Sequence, residues 1–251
     1  MKTYNPYSLA NKTILVTGAS SGIGRSTAIE CSKLGAQLII TGRDSDRLQE
    51  TLTLLEGEHH RFIICDITDR GQILSLVEAL PELHGLVNNA GISKLATIGH
   101  IKENEFQDIL QTNTIAPVML LNSLIKSKKL IKGSSVVFTS SIAGVFRSSI
   151  ANSLYSTSKA AVHGFVRNAA LELASKKIRV NSVSPAMIET DLIGKSGFIT
   201  EEQYEKDKLS YPLKRYGKPE EVAHAIIYLL SDAASWVTGT TMIIDGGITL
   251  R

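Results

Sequence analysis

The amino-acid pattern predicts one α/β domain of the doubly wound type, a parallel sheet with helices on both faces. Three observations carry this expectation. Short runs rich in Val, Ile and Leu alternate with helical stretches along the whole chain, the order that builds βαβ units. Those runs are apolar on both strand faces, as a sheet buried between two helix layers demands. The 251 residues, 43% hydrophobic and 20% charged, suffice for one large core, and no repeat, low-complexity tract or linker divides residues 1–251.

The first strand reads KTILVTG (12–18), and GIGRSTAIECSKLG follows as a helix closed by Gly35. AQLIITG (36–42) is strand two. DSDRLQETLTLLEG (44–57) begins on an aspartate and stops on a glycine, as a capped helix does. HRFIICD (60–66) and GLVNNAG (85–91) are strands three and four. A long helix is expected over 103–130, where Pro117 either kinks it or is absorbed by packing. SSVVFTSS (134–141) is strand five, 152–176 a helix, IRVNSVSP (178–185) strand six, 219–231 a helix and TMIID (241–245) strand seven. The least regular stretch, 186–217, is a candidate substrate-binding loop, because long insertions in compact domains are often lids.

Composition narrows the function classes. A net charge of +3 is far from a nucleic-acid footprint, and the one basic run, IKSKKLIK (125–132), reads as a solvated helix end. Cys31 and Cys65 show no metal spacing and read as buried, reduced thiols, which points to the cytoplasm. The start, MKTYNPYSLANK, has no signal-peptide core, and no apolar run approaches the roughly 18 residues of a membrane span. The histidines are scattered, and His59 and His60 read as surface residues, so no metal site is expected.

TGASSGIG (17–24) follows a strand and opens a helix, the context of a phosphate-binding turn. Gly18 allows the tight turn, and Gly22 and Gly24 let backbone N–H groups approach a pyrophosphate at the helix N-terminus. The alternative is a plain glycine turn packing helix on sheet. Strand two ends in ITGRD. An NAD site places an acid there, against the ribose 2′-hydroxyl; here stand Gly42 and then Arg43, whose guanidinium forks onto a 2′-phosphate. That favours NADP(H), with NAD(H) the alternative if Asp44 serves the ribose instead of capping the next helix. Asp66, after strand three, is placed either to accept from an adenine amino group or to cap a helix.

Further motifs follow in a fixed order: NNAG (88–91), Asn113 in QTNTIAP, SSIAG (140–144), YSTSK (155–159), RVNSVSP (179–185), RYGKPEEVA and WVTGTTMIIDGG. With TGASSGIG, they make the chain resemble the short-chain dehydrogenase/reductase family over nearly its full length, nearest to the 3-oxoacyl-acyl-carrier-protein reductases. The resemblance implies a Rossmann-type seven-stranded parallel sheet in the order 3-2-1-4-5-6-7. It assigns catalysis to Asn113, Ser141, Tyr155 and Lys159. It assigns cofactor contacts to Gly18, Ser20, Ser21, Gly22, Ile23, Gly24, Arg43 and Asp66 on one side. On the other it assigns them to Asn89, Ala90, Gly91, Pro185, Ile188 and Thr190, together with Tyr155 and Lys159. Ile188 and Thr190 match positions that meet the nicotinamide carboxamide.

The chemistry agrees with the residue types. Hydride attack on a ketone builds charge on oxygen, which needs a donor and then a proton. A free phenol has a pKa of about 10. Lys159, four residues on and on the same helix face, is expected to stabilise the phenolate and bring that value down. Ser141 can donate to the same oxygen. Asn113 resembles the residue that holds a water and completes a proton relay. Ser156, Thr157 and Ser158 read as small spacers.

Two departures from the family stand out. Pro185-Ala186 replaces the usual proline-glycine, which brings a cost if the backbone there is left-handed. The connection from Asp66 to NNAG is short, which shortens the intervening helix. The expected activity is NADP(H)-dependent interconversion of a ketone and a secondary alcohol, with a 3-oxoacyl thioester as one substrate class. Lys128, Lys129 and Lys176 are either a docking patch for an acidic acyl carrier protein or solvated lysines. The resemblance implies a homo-oligomer, a tetramer or a dimer. The competing classes are a noncatalytic cofactor-binding scaffold on the same fold, and a nucleotide-sugar epimerase, which would carry T-G-x-x-G-x-x-G and a larger C-terminal substrate domain.

Overall fold

The computed structural model describes residues 4–190 and 201–250. Seven strands form one parallel sheet in the order β3-β2-β1-β4-β5-β6-β7. They are β1 (Thr13–Thr17), β2 (Gln37–Gly42), β3 (Arg61–Ile64), β4 (Leu83–Asn88), β5 (Leu130–Thr139), β6 (Arg179–Pro185) and β7 (Thr241–Ile244). The expected strand order is therefore observed. β4 ends before the NNAG turn is complete, and β5 begins earlier than its most apolar part.

Strand periodicity explains the two cores. Leu15, Ile39, Leu86, Val136 and Val180 point to one face, where Ile73 and Leu76 of α3 (Arg70–Ala79), Leu120 and Leu124 of α5 (Ala116–Lys126) and Val162 and Val166 of α6 (Ser153–Leu173) cover them. Their neighbours Ile14, Val16, Leu38, Ile40, Val87 and Val137 point to the other. There they meet Ala28 and Cys31 of α1 (Gly22–Lys33), Leu48 of α2 (Ser45–Thr53), and Val222 and Ile226 of α8 (Pro219–Leu230). Cys31 and Cys65 are both buried and unpaired, as expected. Because β1 lies between β2 and β4, the strand order reverses there, which opens a crevice at the carboxyl ends of those strands.

The long helix expected over 103–130 is broken. It consists of α4 (Glu103–Leu110), a π-helical turn (Gln111–Ile115) and α5, with Pro117 in the first turn of α5. An α-helix would pair the Asn113 carbonyl with the N–H of residue 117, and Pro117 has none. The widened turn absorbs the mismatch, and Asn113 sits inside it, buried.

Of the 186–217 stretch, residues 191–200 lie outside the described residues. The rest is anchored at both ends: Ile188 bridges Gly217, and α7 (Glu201–Ser210) packs Tyr204 against Tyr216. Ala186 does not take a left-handed backbone, so the missing glycine costs nothing there. Among the described residues no helix is long and apolar enough to cross a membrane.

Candidate active site

Three helices begin at the carboxyl end of the sheet, following β1, β2 and β3. Two are capped by aspartates. Asp44 accepts from Arg47 N (3.0 Å) at α2, and Asp69 accepts from Gln72 N (3.1 Å) at α3. Asp69 is therefore the cap that Asp66 was weighed for. Asp66 instead accepts from the Thr68 N–H and hydroxyl (2.9 and 2.7 Å) and stands 3.9 Å from Arg43. The third helix, α1, has Ser21 at its N-cap with no side-chain bond and no acid in its first turn. Its first N–H groups and its dipole are thus directed at the crevice without a protein anion to meet them.

The glycines bring the backbones together at that point. A Cβ on Gly18 would lie 2.8 Å from Ala90 Cα, and one on Gly24 would lie 2.2 Å from the Gly18 carbonyl oxygen. Thr17 Oγ1 accepts from Asn89 N (3.0 Å) and Ala90 N (3.2 Å), and Asn89 Nδ2 donates to Gly18 O (3.3 Å). The NNAG turn and the glycine loop are thus one hydrogen-bonded unit. Thr190 reaches over the mouth, with its methyl 3.2 Å from where a Gly22 Cβ would stand. At the far end of the groove the Ser20 hydroxyl lies beside Gly42, followed by Arg43 with its side chain 71% exposed. This cradle fits a dinucleotide: uncapped N–H groups for the pyrophosphate, and at Gly42 an open place for the ribose beside an exposed guanidinium whose only acidic partner among the described residues is Asp66, at 3.9 Å. Asp44 is committed to its helix, accepting from Arg47 N.

Asn113, Ser141, Tyr155 and Lys159 converge next to this cradle. Lys159, 4% exposed, donates from Nζ to Thr139 O at 2.7 Å. A Cβ on Gly91 would be 3.5 Å from Lys159 Nζ and 3.2 Å from Asn113 Oδ1, so both groups close on that glycine. The Asn113 amide donates to Ile92 O (2.8 Å) and Ser158 Oγ (3.0 Å), and its oxygen accepts from Ile92 N (2.8 Å). Both amide hydrogens are spent on protein. Ser141 Oγ accepts from Ala143 N (3.1 Å), which leaves its hydrogen for Tyr155. Ser140 turns away and donates to Lys159 O (3.0 Å).

Electrostatics differ from expectation at one point. Burial raises the Tyr155 phenol above its ordinary value, and the Ser141 hydroxyl pulls it partly back. Lys159 does not bring it down, because its ammonium is turned to the Thr139 carbonyl and meets the tyrosine over the ring, 5.8 Å from the centroid. Burial lowers Lys159 itself to about 8. Ser158, read as a spacer, is structural to the site: it holds the Asn113 amide and donates to Tyr155 O (2.7 Å). Its place one turn from Tyr155 was the available signal. His60, read as a surface residue, accepts from Leu38 N through Nδ1 (3.0 Å). Lys128 and Lys129 precede β5, at the opposite end of the sheet from Ser141, and Lys129 donates to Leu80 O.

The fold and this constellation define a short-chain dehydrogenase/reductase. The family model described as enoyl-(acyl carrier protein) reductase matches residues 18–249, and the chain belongs to that oxidoreductase family. It is 35% identical over 249 residues to the 3-oxoacyl-acyl-carrier-protein reductase of Thermotoga maritima, covering 96% of this chain and 99% of that one. It is 34% identical over 246 residues to L-xylulose reductase of Caenorhabditis elegans, covering 96% and 97%. A short-chain type dehydrogenase/reductase from Mycobacterium ulcerans matches with a TM-score of 0.88 at 32% identity, covering 97% of this chain and 92% of that one. The chain is an enzyme of the short-chain dehydrogenase/reductase class.

Proposed function

We propose that this chain, folded as one domain, is an NADP(H)-dependent reductase that interconverts a ketone and a secondary alcohol. The observation that carries the reading is the convergence of Ser141, Tyr155, Lys159 and Asn113 beside the uncapped start of α1. The glycine loop, Arg43, the NNAG turn, Ile188 and Thr190 would hold the cofactor, whose reduced nicotinamide would supply the hydride. Ser141 donates to the carbonyl oxygen and orients it. Tyr155 gives that oxygen its proton. Lys159, which gives one hydrogen to Thr139 O, has two left for the cofactor's ribose. Asn113 contributes through its backbone, because both its amide hydrogens are used: its carbonyl, without the α-helical partner that Pro117 cannot supply, is the acceptor for a relay water.

The substrate class we favour is a 3-oxoacyl thioester. The loops beside the site expose apolar side chains at Leu95, Val145, Phe146 and Ile150, and Ala96 N bonds Ala151 O (2.8 Å) to join those loops. Such a rim suits a hydrocarbon chain better than a polyol. Lys128 and Lys129 precede β5 and Lys176 precedes β6, at the end of the sheet opposite Ser141, so a carrier-protein partner rests on the reductase relatives alone. β7 is an edge strand with Ile243 exposed, and Trp236, ahead of it in the chain, is fully exposed, which supports a homo-oligomer. Buried free thiols suit the cytoplasm.

The test is oxidation of NADPH and NADH by the purified chain with acetoacetyl thioesters, sugars and steroid ketones. Turnover of the thioester with NADPH, reduced at least about a hundredfold in Tyr155→Phe, is expected. Turnover of sugars alone would overturn the substrate class. Cofactor binding without any turnover would overturn the catalytic reading.

A further inference from the structure

His163 lies one turn beyond Lys159 and two beyond Tyr155, so one face of α6 carries all three. Its ring is half-buried between β7 and the turn that follows β5. Nδ1 is 3.1 Å from Thr241 Oγ1, which is in turn 2.8 Å from Ser182 Oγ on the neighbouring strand. Nε2 is 3.5 Å from the Ser141 carbonyl oxygen and 3.5 Å from Ser184 Oγ. The ring also meets Phe146 edge to face at 5.5 Å. Phe146 closes the turn by donating from its N–H to Ile142 O (3.0 Å). His163 therefore touches both ends of the segment that presents the Ser141 hydroxyl.

The partners select a tautomer. A carbonyl only accepts, so the bond to Ser141 needs the hydrogen on Nε2. Nδ1 then accepts from the Thr241 hydroxyl, which accepts from Ser182. Burial lowers the histidine pKa, which keeps the ring neutral near pH 7. The chain Ser182, Thr241, His163, Ser141 runs from β6 through the edge strand β7 to the proton donor's partner.

We propose that His163 is a positioning residue for Ser141, setting the place of the hydroxyl beside which Tyr155 works. The proposal rests on the reductase reading for its kinetic consequence but not for its geometry. His163→Phe keeps the ring and its contact with Phe146 and removes both nitrogens. Its kcat is expected to fall about tenfold with the cofactor KM changed by less than about twofold, and His163→Gln, which keeps a terminal donor, to recover part of the loss. In a Ser141→Ala background the same change is expected to cost less than about twofold, since the group it positions is gone. Two readouts need no substrate. Nitrogen NMR on labelled histidine is expected to show the neutral Nε2–H form. The Tyr155 phenol, followed with ring-labelled tyrosine and assigned with Tyr155→Phe, is expected to titrate higher in His163→Phe, as in Ser141→Ala. Wild-type kcat in His163→Phe, an equal loss in the Ser141→Ala background, an Nδ1–H tautomer or an unmoved phenol would each overturn the proposal. If the wild-type chain turns over no ketone, the reductase reading fails while the two NMR results still decide the role of His163.

Discussion

Replacing Lys159 with methionine is expected to remove the chemistry and return stability. Lys159 is 4% exposed, and burial alone moves its pKa from 10.5 to about 8. That displacement is a strain of about 3 kcal/mol at neutral pH. Against it stands the bond to Thr139 O at 2.7 Å. Losing it strands a buried carbonyl, at about 1–3 kcal/mol. Methionine fills the volume of the aliphatic stem. The balance near pH 7 is a variant between unchanged and about 2 kcal/mol more stable, with ketone reduction down at least about a hundredfold. The pH dependence supplies the sign. Below pH 8 the lysine is charged in both states, and only the folded one is strained. Between about 8 and 10.5 the folded state has released its proton while the unfolded state still binds it, so wild-type stability rises with pH. The methionine variant lacks that rise, and its advantage should shrink by about 2 kcal/mol from pH 8 to 10. Urea unfolding of the cofactor-free proteins measures both. A variant less stable by more than about 2 kcal/mol at pH 7, with a curve parallel to the wild type, would show that the fold solvates the ammonium as well as water does, and would refute the reasoning.

Arg43→Ala is expected to lower the preference for NADPH over NADH about tenfold, the worth of charge-assisted bonds to a phosphate; an unchanged ratio of kcat/KM values removes Arg43 from the cofactor site. Gly24→Ala drives a methyl to 2.2 Å from the Gly18 carbonyl and 2.5 Å from Asn89 Nδ2, so cofactor binding by calorimetry should disappear. Gly164→Ala, in the interior of α6 with nothing within 4 Å, is the opposite case and should stabilise by about 1 kcal/mol in urea unfolding. Pro117→Ala restores the N–H that an α-helix gives to the Asn113 carbonyl; kcat should fall at least about tenfold while stability holds or rises, and unchanged kcat would remove that carbonyl from the relay.

The sheet was legible because its signal is one-dimensional. Apolar runs such as Lys12–Gly18 and Ile178–Pro185 need no partner to be recognised. The glycine loop was legible for the same reason, and so was the Asp44 cap, three residues from the N–H it accepts. What escaped depended on distance across the fold. Asp66 and Asp69 both precede a helix, and only the turn between them decides which one caps. No residue type announces a π-turn; Pro117 pointed to a bend but not to the widened ring that holds Asn113. The direction of the Tyr155 shift needed the path of the Lys159 ammonium, which spacing on a helix cannot supply. His163 read as one scattered histidine because Thr241 and Ser184 come to it from other strands.

The two ends of the sheet are built to different ends. At the amino end side chains complete the backbone: His84 accepts from Thr13 N (3.1 Å), His60 from Leu38 N, and Arg179 donates to the carbonyls of Leu229 (2.7 Å) and Ser231 (3.1 Å). At the carboxyl end of the middle strands the same demands are left unmet. The α1 start has no side-chain cap, the Asn88 amide and the Thr139 hydroxyl are buried without a protein partner, and Lys159 carries a buried charge. Each costs about 1 kcal/mol or more, and none serves packing. Local rules broken together at one place are what a ligand site looks like before it is filled. That grouping, at the carboxyl ends of β1, β4 and β5, marks the candidate site. It also explains why a methionine in place of Lys159 should improve the fold by the same act that disables the site.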